Sequence, residues 1–148
     1  MSDLTGKLFS LNGRLNRTGF LHSLLVLIVA VIGLNLVLDL LLASDQLLSV
    51  GYLIAQRLLE IFYLAAWTPF IVRRLHDIGL SGKWVIACWL SALLDQRLLL
   101  LIEVVSGVHI VAPVDLLMVF DLVVPTITLI LLLKPGESRA NRWGEAHN

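Results

Sequence analysis

Four apolar runs, each about as long as a bilayer-crossing helix, take up most of this 148-residue chain and constrain it more than any other feature. A helix needs about 20 mostly apolar residues to cross a hydrocarbon layer ~30 Å thick, because it rises ~1.5 Å per residue. Residues 20–43, 48–72, 84–105 and 114–133 satisfy that length. Leucine dominates them, and none alternates polar with apolar residues as a barrel strand must. The expected fold is an all-α integral membrane protein, an antiparallel bundle of four transmembrane helices in a single domain, since short loops make neighbours antiparallel. Composition agrees: 58% of residues are apolar and 15% charged, against about 45–50% and 25% in soluble domains. Mean hydropathy is +0.90.

Orientation follows from where Lys and Arg fall in short loops. Lys7, Arg14 and Arg17 precede the first run. Arg73, Arg74 and Lys83 lie between the second and third, and Lys134, Arg139 and Arg142 follow the fourth. The other two loops carry none, so nine of the eleven cations share one side. That side is expected to be cytoplasmic, with tails 1–19 and 134–148 and hairpin 73–83 on it. Trp67, Trp84 and Trp143 are expected near this boundary and Tyr52 near the other. The first apolar run exceeds the roughly 7–15 residues of a signal core, so it is expected to remain in the mature protein. A formal net charge of zero excludes a globally basic nucleic-acid binder. Cys88 has no second cysteine to pair with, and the four histidines show no metal-site spacing.

The hairpin RRLHDIGLSGKW (residues 73–84) interrupts this apolar chain. Arg73 and Arg74 suit a helix C-terminus and anionic headgroups. Gly79 is expected to stop that helix in a left-handed conformation, and Ser81 to cap the next. GLSGK is not a phosphate loop, since Asp77 and Trp84 stand where glycine and Ser or Thr are needed. With GRLNRTGF (residues 13–20) and KPGESRANRWG (residues 134–144), the hairpin resembles a bacterial inner-membrane family, domain of unknown function 805. Its members carry a Gly-Arg-x-x-Arg lead-in, an Arg-Arg-x-His-Asp-x-Gly-x-Ser-Gly hairpin and a Pro-Gly…Asn-Arg-Tyr-Gly tail. This chain departs at Lys83, where a second aromatic is usual, and at Trp143, where tyrosine is usual. The resemblance implies a small multi-pass protein of the bacterial inner membrane and supplies no reaction.

All three motifs face the same side. A bundle would gather Arg14, Arg17, Arg73, Arg74, His76, Asp77, Asn141 and Arg142 into one polar cap. Such a cap is either a site for anionic phospholipid headgroups or a partner's acidic segment, or a clasp built on Arg–carboxylate and Arg–carbonyl bonds. Within the spans lie Asp39, Arg57, Glu60, Asp95, Arg97, Glu103 and Asp121, each expensive in hydrocarbon at roughly 2.5–3.5 kcal/mol for a mid-helix charge. Arg57 and Glu60 are three apart and can pair on one helix face. This set is expected either to fix helix contacts as a polar network or to mark a proton or cation path. No nucleophile or metal set accompanies His76 and Asp77, so no catalytic residue, metal or cofactor is expected. The leading expectation is a non-enzymatic binding or scaffold protein with a basic cytoplasmic cap, partnered by bilayer lipid, another membrane protein or a second copy. The alternative is an oligomeric proton, cation or small-solute transporter using the buried carboxylates.

Overall fold

The computed structural model describes residues 10–42, 50–94, 96–107 and 114–145, with side chains at all but 42, 96, 97 and 114–121. Its elements are helices: α1 (Arg17–Leu42), α2 (Val50–Asp77), α3 (Val85–Leu93), α4 (Gln96–Ser106) and α5 (Val114–Leu133). No strand occurs among the described residues, and an isolated bridge joins Asn141 to Gly144. α1 begins where the Asn16 side-chain oxygen accepts the Gly19 N–H at 2.8 Å, satisfying one orphan donor of the first turn.

Hydropathy places the end of the second span near residue 72, yet α2 continues to Asp77, so half of the polar hairpin is helical. The local reason is that Arg74 and Asp77, one turn apart, form an ion pair along the helix face. Gly79 then stops it at φ +80°, a conformation with little steric cost for glycine. Its N–H donates to the His76 carbonyl, and the Leu80 N–H to that of Leu75. Ser81 caps a short 3-10 turn (Gly82–Trp84) that leads into α3.

The third apolar run is not one helix. α3 ends at Leu93 and α4 starts at Gln96, with Leu94 turned to φ −108°, ψ 19°. In an uninterrupted helix the Ala92 carbonyl would accept the Gln96 N–H; here the Arg57 guanidinium of α2 donates to it. The Ser91 hydroxyl also bonds back to the Cys88 carbonyl one turn earlier. Both contacts draw carbonyls toward side chains just where the ladder stops.

α1 packs on α2 and α5, α2 also on α3 and α4, and α5 on α3 and α4. Burial concentrates at the end carrying the hairpin and both tails, where Phe20, Trp67, Ile71, Leu75, Cys88 and Leu131 interlock. Trp67 is 4% exposed in this core and lies 5.0 Å from the Phe20 ring. Away from that end the apolar faces are open, as at Val26 (71% exposed) and Leu41 (76%). Among the described residues two stretches, Arg17–Leu41 and Gly82–Ser106, are long and apolar enough to cross a bilayer, the second taking in the turn at Leu94.

Candidate functional site: the polar cap

The segment before α1, the end of α2 and the chain after α5 meet through backbone bonds. The Leu15 N–H donates to the Arg73 carbonyl at 3.0 Å, and the Glu137 N–H to the Asp77 carbonyl at 2.8 Å. Asp77 lies between two buried arginines. Its carboxylate accepts from Arg14 Nε at 3.1 Å and from Arg74 Nη1, and all three side chains are at most 4% exposed.

The arginines spend their remaining donors on main-chain oxygens. Arg14 reaches the carbonyls of Asp77, Glu137, Arg139 and Gly144. Arg74 reaches those of Leu15, Leu131 and Lys134. A planar five-donor fork suits this work, because the last carbonyls of a helix and the turns beyond it have no ladder partner. Burial pushes the Arg74 pKa below its ordinary value; Asp77 opposes the shift, and the nearby positive charge of Arg17 adds to it.

His76 and Asp77 are adjacent but serve different contacts. His76 Nδ1 lies 3.2 Å from the Gly13 carbonyl. That oxygen can only accept, so Nδ1 carries the proton. Burial holds the His76 pKa below the ordinary histidine value, partly offset by the Gly13 bond and reinforced by Arg142. The neutral ring stacks on Trp143 at 4.5 Å and 10°, and Arg142 lies over the same indole at 3.9 Å. Asn141 donates to the His76 carbonyl and to the Glu137 carboxylate. The cap residues named from the sequence thus come together, Arg73 by its carbonyl and Arg17 by a bond to the Leu133 carbonyl.

Sequence reasoning missed Trp143 as a partner of His76, and it missed Gly136. A Cβ there would overlap the Asp77 carboxylate, so the tail passes the ion pair only as glycine. The tail motif contains both residues, but nothing in it says what they touch.

A second polar set lies farther along the helices. The Tyr52 hydroxyl donates to Asp39 at 2.7 Å and accepts from the Gln56 amide at 2.8 Å, tying α1 to α2. Arg57 pairs with Glu60 at 2.8 Å. Glu103 lies half-buried on α4, whereas Asp95 and the side chains of Arg97 and Asp121 lie outside the described residues. Among the described residues, no three His, Cys, Asp or Glu side chains converge as metal ligands.

No curated protein and no solved structure matches this chain. A family model does, over residues 8–145, which takes in the lead-in, the hairpin and the tail that build the cap. The chain therefore belongs to DUF805, a family described as protein of unknown function.

Proposed function

We propose that this chain is a small multi-pass protein of the bacterial inner membrane, with its tails and hairpin in the cytoplasm, that acts without catalysis as a binding or scaffold protein. One observation carries the reading: the cap cations divide into two sets. Arg14 and Arg74 are buried and bonded to Asp77 and to carbonyls of the hairpin and both tails, so they act as a clasp. Arg17, Lys134, Arg139 and Arg142 remain exposed at the same end of the molecule. The clasp gives that basic rim a fixed shape, and a fixed cationic rim suits anionic headgroups, a membrane partner or a second copy. Open apolar faces on α1 support insertion, since a protein in water rarely leaves such area uncovered.

Two measurements test this. With Cys88→Ser as background, Ser138→Cys should react with an impermeant maleimide only after the inner face is opened. Arg139→Gln/Arg142→Gln should weaken association with anionic vesicles or cross-linked partners while leaving insertion intact. Labelling from outside, or unchanged association, overturns the proposal.

The transport reading draws on the intramembrane acids. The contacts around them support a structural network instead, since Glu60 is paired with Arg57 and Asp39 accepts from Tyr52. Proteoliposome flux that vanishes in Asp39→Asn or Asp121→Asn would replace the first reading.

A further inference from the structure

A cleft of about 350 Å³ opens at the cap between residues 16–18, where α1 starts, and residues 135–138, which leave α5. Asp77 lines it but brings no net negative charge, being held by two guanidiniums. The remaining charged groups of the lining are Arg17 and Glu137, both exposed and opposite in sign. Neither forms an ion pair with the other or with any described residue. Arg17 donates to the Leu133 carbonyl, and Glu137 accepts from the Asn141 amide. Thr18 and Ser138 line the same cleft, and their hydroxyls have no hydrogen-bond partner among the described residues.

Two opposite charges that share a cleft without joining select for a ligand carrying both. A simple anion would meet Glu137, and a simple cation would meet Arg17. Arg17 marks the positive side of the cleft. On that side a guanidinium and two hydroxyls offer donors to a tetrahedral oxyanion. Immediately along the helices from the cleft, α1 exposes Leu21 and Leu25, and α5 exposes Leu129 and Leu133. Those apolar side chains are where the acyl chains of a bound lipid would lie.

We propose that the cleft takes the phosphoethanolamine headgroup of a membrane phospholipid, with its phosphate on Arg17, Thr18 and Ser138 and its ammonium on Glu137. This rests on the membrane reading above and deepens it from a basic rim to one zwitterionic headgroup. It also uses the negative charge of Glu137, which a purely basic rim does not.

The test is native mass spectrometry of the purified full chain in detergent, titrated with phosphatidylethanolamine, phosphatidylglycerol or soluble phosphoethanolamine. Phosphatidylethanolamine should bind about tenfold more tightly than phosphatidylglycerol, as expected for one additional charge-assisted bond. Arg17→Gln should weaken both lipids about tenfold or more, while keeping a donor for Leu133. Glu137→Gln, which still accepts from Asn141, should bring phosphatidylethanolamine down to the phosphatidylglycerol level and leave the latter unchanged. Lys83→Gln removes an exposed cation outside the cleft and should change neither. Equal affinities for the two lipids, or a preference indifferent to Glu137→Gln, overturns the assignment. Binding of soluble phosphoethanolamine as tight as that of the lipid would move the site to a soluble ligand and overturn the lipid source. Alkaline carbonate extraction of the same membranes separates the two levels. Release of wild type would sink the membrane reading itself; retention without headgroup preference sinks only this inference.

Discussion

Asp77→Asn is the sharpest test of the clasp, because the substitution keeps shape and removes charge. The carboxylate is 4% exposed and lies between Arg14 (1%) and Arg74 (0%). At an effective dielectric of about 20, each contact is worth roughly 4 kcal/mol before desolvation is counted. The net loss is smaller, since the pairs were already desolvated. Breaking a buried pair from one side typically costs about 3–5 kcal/mol, because the partner charge stays behind. Here two guanidiniums would stay behind, and the new amide would turn a donor toward one of them. The Leu15 and Glu137 N–H groups, which bond to the Arg73 and Asp77 carbonyls, report the clasp directly. Their hydrogen exchange, read by mass spectrometry of peptides from the two tails, should quicken by about 100-fold or more. Amides in the middle of α2 should change far less. Adding Arg14→Gln removes one stranded charge, so the double variant should exchange more slowly than the two single effects combined would give. Exchange within about twofold of wild type in Asp77→Asn would refute the clasp.

Acid should loosen the tail. The folded-state pKa of His76 lies below its ordinary value of about 6.5, so between those values the unfolded state binds more protons. Stability from the neutral ring is complete above about pH 6.5 and is lost as pH falls toward the folded value. Tail-peptide exchange, corrected for its intrinsic pH dependence, should show this loss between pH 7.5 and 5.5, and His76→Gln should flatten it. Arg57→Met breaks the ion pair with Glu60 and removes the donor to Ala92; it should cost about 2–4 kcal/mol in detergent unfolding, partly recovered by adding Glu60→Leu. Gly136→Ala drives a methyl into a carboxylate held by two arginines and should cost about 1–3 kcal/mol by the same measurement. Gly33→Ala, with open space around it in α1, should be neutral or stabilising.

Some of this protein can be read from neighbouring residues because the forces responsible act over one or two helical turns. Leucine-rich runs specify helices, Gly79 marks where α2 ends, Ser81 caps the turn that follows, and Arg57 with Glu60 pair at a spacing visible in print. Even the membership of the cap was legible, since three polar motifs, each separated from the next by two apolar runs, return to one end when successive runs pack antiparallel. What they do there was not. Arg14 and Asp77 are 63 residues apart, and the other arginine contacts are to backbone carbonyls. Every residue carries a carbonyl, so such contacts leave no mark on the sequence. The break after Leu93 is legible only in part: Asp95, Gln96 and Arg97 follow it in the sequence, but the guanidinium that claims the Ala92 carbonyl comes from another helix. Trp67 shows the converse, an amphipathic ring that suits an interface by type but is buried because Phe20 and Phe70 pack against it. Local sequence determined which segments are helical and where the charges gather. Only the tertiary structure decided which cations close the clasp and which stay exposed, because that depends on which main-chain oxygens come within reach.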